Sequence, residues 1–239
     1  MKKIYLFLSA AALLLLLASC QKRVYIQGFT SIAEMDGRML YLKVYADGDL
    51  KNIDSAQVVH GKFQFCGKVD STVMANLFME DISLMPIVVD KDNVLQMTLS
   101  DTERKIEGSV LNDSLIAFIN RKAALDERLA EMPHRESQMV MDGMDHDEIV
   151  AMLNAEIDEI SGQENELILR FIKDNMDNVM GPGVFMLVTS SFPYPVLTPE
   201  VEEILALAPP YFHANAYVRD YVKMAEENME KMNEELTKP

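Results

Sequence analysis

The chain has 239 residues, 49% hydrophobic and 25% charged, a folding composition that excludes wholesale disorder. Its 38 acidic side chains outnumber 22 basic ones, and a net charge of −16 makes a poor binder of a phosphate backbone, so a nucleic-acid partner is excluded. Two cysteines exclude a disulfide framework and a Cys-rich zinc site.

Met1-Lys2-Lys3 is a short basic start, and Ile4 to Ala18 is apolar apart from Ser9. That run is too short for an ordinary membrane span and suits the core of a signal peptide. It ends in Leu17-Ala18-Ser19-Cys20, which resembles the lipobox of bacterial lipoproteins. The resemblance implies that residues 1–19 are removed, that Cys20 carries lipid, and that residues 20–23 tether the chain to a membrane. An uncleaved anchor, or secretion with a cut near Ala18-Ser19, is the alternative. Gln21 stands where an inner-membrane retention aspartate would stand, which points to the outer membrane. No acidic cluster follows Cys20, which points to the periplasm-facing leaflet. Cys66 is then the one free thiol, and without a C-x-x-C this chain alone performs no dithiol exchange.

From Val24 to Ser109, short apolar runs alternate with turn residues, the pattern of strands. The expected strands are Val24–Thr30, Arg38–Tyr45, Ile53–Val59, Lys62–Val69, Val73–Met79, Leu84–Asp90, Val94–Ser100 and Lys105–Glu107. Asp36-Gly37, Asp47-Gly48-Asp49, His60-Gly61 and Lys91-Asp92-Asn93 separate them as turns. Ile53–Val59 and Lys62–Val69 read as a hairpin, with Phe63 and Phe65 on one face and Gln64, Cys66 and Lys68 on the other. Cys66 is expected to pack under the helices that follow. Strands at this spacing predict an antiparallel β-sandwich or partial barrel over residues 24–109.

Four pieces of this region resemble the N-terminal β-domain called domain of unknown function 4369. Tyr25-Ile26-Gln27-Gly28 matches its opening strand, and Gly37–Leu42 matches the next. Asp54-Ser55 through Gly61-Lys62-Phe63-Gln64-Phe65-Cys66-Gly67-Lys68-Val69 matches its central signature, and Ile106–Asp113 its closing piece. The resemblance covers about Val24 to Ser114. In that family the β-domain commonly follows a lipoprotein signal and precedes a thioredoxin-like domain, related to alkyl hydroperoxide reductases and thiol–disulfide oxidoreductases. This sequence shows no such domain and no redox cysteine pair, so that activity does not carry over.

Residues 110–239 read as an all-helical segment, making the fold class α+β. Leu111, Leu115, Phe118, Leu125, Leu129 and Met132 stripe a first helix, which Met132-Pro133-His134 is expected to end. A second helix starts near Asp145, striped by Ile149, Leu153, Ile157, Ile160, Leu167, Phe171 and Met176. Gly162 is a candidate interruption and Gly181-Pro182-Gly183 an expected break before a buried helix at Val184–Thr189. Thr198-Pro199-Glu200 is a good helix start, with its end near Ala208-Pro209-Pro210. The last helix runs from Asn215 to Leu236, striped by Val218, Val222, Ala225, Met229, Met232 and Leu236. The bland expectation is that this stripe packs on the chain's own helices, and the same stripe is the best candidate interface.

Met139, Met141, Met144 and His146, within the Met- and His-rich stretch 132–148, form a candidate Cu(I) site, since thioethers and imidazole suit a soft cation where thiolates are scarce. The competing reading is loop and helix-start sequence in a chain with 18 methionines. Asp47, Asp49 and Asp54 lack the spacing of a calcium loop and read as a solvated turn. No H-E-x-x-H, G-x-S-x-G, phosphate loop or dinucleotide fingerprint occurs, so no catalytic residue and no cofactor are expected. The leading expectation is a lipid-anchored, non-catalytic binding or protein-interaction module of the envelope, with a periplasmic protein partner and a possible accessory role to thioredoxin-like enzymes. The alternative is copper handling.

Overall fold

A computed structural model describes residues 25–236 apart from Asp92; residues 1–24, on which the expected signal segment, the Cys20 lipidation site and the tether fall, and the last three residues lie outside the described residues. Eight strands come first: β1 (Tyr25–Thr30), β2 (Met39–Ala46), β3 (Asp49–Gln57), β4 (Lys62–Phe65), β5 (Val73–Met79), β6 (Ile82–Val89), β7 (Val94–Leu99) and β8 (Arg104–Glu107). Seven helices follow: α1 (Val110–Ala130), α2 (Met132–Met141), α3 (His146–Asp174), α4 (Met180–Thr189), α5 (Pro199–Leu207), α6 (Pro210–Ala214) and α7 (Ala216–Leu236). The class is α+β.

The strands form two four-stranded sheets, ordered β4-β1-β7-β8 and β3-β2-β5-β6. The period-2 pattern aims Ile26, Phe65, Leu95 and Met97 from the first sheet at Leu40, Leu42, Leu77 and Ile87 from the second, and all are buried in one core. The outcome is a sandwich. All pairs are antiparallel except β1 with β7, which run parallel in the middle of the first sheet. A strand pattern alone carries no information on direction, so that pair departs from the expected all-antiparallel arrangement.

The expected hairpin at His60-Gly61 is a corner instead. His60 (φ 51°) and Gly61 (φ 70°) make the tight turn that positive φ allows, and one bridge joins Val59 to Lys62. The chain then parts, β3 to β2 in one sheet and β4 to β1 in the other. Phe63 explains where β4 goes. Its ring lies over Gly28, its cross-strand partner, where a Cβ would fall 2.0 Å from the ring carbons. Only glycine at that position leaves the ring its place.

The helices cover the outer face of the second sheet. Met74 and Val88 from that face join Leu115, Phe118, Ile172, Val184 and Phe185 in a second core. A third, smaller cluster gathers Met132, Ile149, Leu153 and Ile160, where α1, α2 and α3 meet. Several helix starts follow the expected capping chemistry. Ser109, Asp145 and Thr198 each accept a hydrogen bond from a backbone N–H of the first turn. The first helix ends at Ala130, just before Met132-Pro133-His134 as expected, but Pro133 then sits at the second position of α2, a helix the sequence did not announce. Gly162 lies inside α3 without interrupting it. Gly181-Pro182-Gly183 likewise forms the first turn of α4, where a proline's missing N–H would have had no intrahelical acceptor.

A buried side-chain amide ties the sandwich to the helices. Asn112, in the first turn of α1, is fully buried. Its Oδ1 accepts from Val88 N–H at 2.8 Å and its Nδ2 donates to Val88 C=O at 2.8 Å. β6 is an edge strand, so the side-chain amide stands where a neighbouring strand would. Replacing Asn112 with Ala strands two buried backbone groups, and chemical denaturation should show a loss of about 2–4 kcal/mol. A loss below about 1 kcal/mol would contradict this role.

Candidate functional site: an exposed sheet face

With the second sheet covered, the outer face of the first is the broad bare surface of the sandwich. Alternation turns Ile26, Phe65, Leu95 and Met97 inward, so Tyr25, Gln27, Phe29, Lys62, Gln64, Val94, Gln96 and Thr98 turn outward. Register then aligns them in rows. Gln64, Gln27, Gln96 and Glu107 stand side by side on β4, β1, β7 and β8. Lys62, Phe29, Thr98 and Lys105 form the next row. Phe29 is 49% exposed and Val94 60%. A shallow depression of about 690 Å³ spans the glutamines, Phe29, Val59 and Thr98.

The middle of the first row is three neutral amides, with charged side chains on the outer strands β4 and β8. Gln27 Nε2 donates to the Tyr25 hydroxyl at 3.0 Å, and Gln64 Nε2 to Cys66 Sγ at 2.9 Å. Lys105 pairs with Glu107 at 2.7 Å. In a chain carrying −16, this face holds two lysines against one glutamate among the rows described. Exposed aromatic surface, amides that both donate and accept, and low charge are what a recognition surface offers.

On this face the hydrogen bond to Glu107 raises the Lys105 ammonium, and further perturbed groups lie among the helices and where they meet the second sheet. Burial, and then the Asp220 carboxylate that accepts its proton at 3.2 Å, raise the Tyr45 phenol above its ordinary range. Burial raises Tyr217 and Tyr221 too. Partial burial pulls the Lys122 ammonium down, but hydrogen bonds to Asp126 and Glu164 outweigh it and the net shift is upward. Tyr45 and Tyr217 line one cavity of about 350 Å³ between the second sheet and the helices, and Lys122 with its carboxylates ties α1 to α3. The described residues include no group of three or more His, Cys, Asp or Glu side chains placed to hold a metal ion.

The sequence-predicted residues are distributed as follows. Cys20 lies outside the described residues. Met139 and Met144 are half-buried and pack against the third cluster, while Met141, at the end of α2, is 85% exposed. His146 is the exposed first residue of α3, beside the Asp145 cap. The segment thus brings Met139 and Met144 together in packing and leaves Met141 and His146 in solvent. Cys66 corrects an expectation: it does not pack under the helices. It follows β4 on the outer face with Gln64 and is exposed, its N–H donating to Asp54 Oδ2 at 2.7 Å. The helices cover the other sheet, which no local pattern around Cys66 reveals. The glutamine row went unnoticed in the sequence because Gln27, Gln64 and Gln96 are neighbours only through register.

Exposure of Cys66 has a direct readout. A maleimide should label it in the folded protein as fast as in urea, with no change in far-ultraviolet circular dichroism. Labelling that requires denaturant would contradict the placement.

The described helices include none long and apolar enough to cross a membrane. No curated protein and no solved structure matches the chain. Residues 24–115 match the family model described as Domain of unknown function (DUF4369). The match runs from β1 through the whole sandwich and stops just past Asn112, so it takes in the amide that ties β6 to α1. Residues 24–115 are therefore a domain of unknown function of the DUF4369 family, and the rest of α1 and the helices after it lie beyond the match.

Proposed function

We propose that this chain is a lipid-anchored, non-catalytic interaction module of the bacterial cell envelope, which holds a protein partner on the outer face of its first sheet. The observation that carries the reading is that face: a register-aligned row of Gln64, Gln27 and Gln96 beside exposed Phe29, on the side of the sandwich opposite the helices. Such a surface offers hydrogen-bonding amides with little charge to desolvate, around an aromatic that can anchor a contact. The Leu17-Ala18-Ser19-Cys20 pattern supports the anchor, Gln21 supports the outer membrane, and the lack of an acidic cluster just after Cys20 supports its periplasm-facing leaflet. The partner class we favour is a periplasmic thioredoxin-like enzyme, because related β-domains occur fused to such enzymes in the resemblance described above. Residues 24–109 would present the partner face and residues 110–239 the helical support.

Cys66 gives the test a built-in position, since its thiol borders Gln64. A thiol-directed photo-crosslinker placed there in intact envelopes should yield one discrete adduct containing a thioredoxin-like protein. The adduct should disappear in the Gln27→Glu, Gln96→Glu variant, whose buried core is untouched. No adduct, or one that survives those substitutions, would contradict the proposal. In the same envelopes the Cys20→Ser variant should lose its acyl-dependent membrane retention; unchanged lipid labelling would contradict the anchor.

A further inference from the structure

A second surface is unusual for the opposite reason: it concentrates positive charge on an acidic molecule. Arg121 and Arg128 of α1 and Arg170 of α3 line a groove of about 480 Å³ floored by Leu125 and Leu167. Arg128 donates to the neutral Gln163 amide at 3.3 Å. The side chains of Arg121 and Arg170 have no hydrogen bond or ion pair among the described residues. Glu166 is the one carboxylate lining the groove. Three guanidiniums held on one groove repel each other unless carboxylates come to them.

The complementary surface is at the other end of the same chain. The first turns of α7 are well packed, with Val218, Tyr221 and Ala225 buried. Past Ala225 the helix outruns its own core. Met232 lies in line with Ala225 along the helix, yet is 47% exposed, and Met229 is 37% exposed. Glu226, Met229 and Glu230 share one face by their i, i+3, i+4 spacing, and neither glutamate is ion-paired among the described residues. Lys223, Glu227 and Lys231 fall on the adjacent row, where Lys223 and Glu227 already face each other at 3.9 Å.

We infer that the occupant of the arginine groove is the end of α7 from a second copy of this chain. Glu226 and Glu230 pair with the arginines while Met229 meets the Leu125 and Leu167 floor. Charge complementarity selects this occupant: a groove rich in cations and an unpartnered acidic, methionine-bearing helix each supply what the other lacks. Two copies exchanging α7 ends make both contacts twice and close the assembly as a two-fold dimer.

The test is sedimentation of the purified full chain in mild detergent over a concentration series. A dimer is expected. Reversing the groove (Arg121→Glu, Arg128→Glu, Arg170→Glu) or the helix (Glu226→Arg, Glu230→Arg) should each weaken association about tenfold or more. Mixing the two variants should restore a one-to-one dimer, because the reversed helix then meets the reversed groove and the native helix the native groove. Restoration also shows that both variants are folded. A monomeric wild-type chain would overturn the inference, as would a dimer indifferent to either reversal or a mixture that stays monomeric.

Discussion

The amide of Asn112 sits at the junction on which the rest of the molecule depends. An edge strand in a sandwich ordinarily leaves its outward N–H and C=O groups to water or to another chain. Here Val88 of β6 gives both groups to one buried side chain, at 2.8 Å each. Because Asn112 lies in the first turn of α1, satisfying the strand also fixes where that helix leaves the sheet. Ser109 caps the same turn, accepting from Asn112 N–H, so the closing piece of the family signature has a physical reading. Strand end, cap and edge-covering amide follow one another closely at Glu107, Ser109 and Asn112.

Once α1 is set, the remaining helices have a surface to build on. Phe118 of α1 stacks on Phe171 of α3 at 4.3 Å. Farther along, α7 returns to the second sheet through aromatics. Tyr217 meets Tyr45 edge-on at 5.0 Å, and the Tyr221 hydroxyl both donates to Val196 C=O and accepts from Val196 N–H. The second sheet is covered from both directions. The first sheet faces solvent, and the glutamine row is the consequence. The proposed partner face is thus the side of the sandwich that Asn112 does not commit to helices.

Much of this was legible in the sequence where the cause is local. Alternation located the strands within a few residues, and Asp145 and Thr198 announced α3 and α5 because a cap is written in neighbouring positions. Gly28 and Phe63 could be recognised as signature residues, but their stacking could not, since it depends on β1 and β4 being partners. The same limit hid the β3–β4 corner, the parallel β1–β7 pair and the row of glutamines. Cys66 shows it most clearly: its parity with Gln64 was correct, yet which sheet the helices cover is decided at Val88 and Asn112, far from the thiol. Gly181-Pro182-Gly183 misled for a different reason. Breakers are tolerated in a first turn, and Gly183 leaves room for the Met74 sulfur, where a Cβ would come within 2.1 Å.

The account stands on the claim that β6 is an edge in name only at Val88. Amide hydrogen exchange of the native chain tests it most directly. If the side chain of Asn112 holds this group, Val88 N–H should exchange as slowly as the amides of the central strands β2 and β5, opening only with global unfolding. Exchange of Val88 at the rate of a solvent-exposed edge amide, with β2 and β5 still protected, would contradict it.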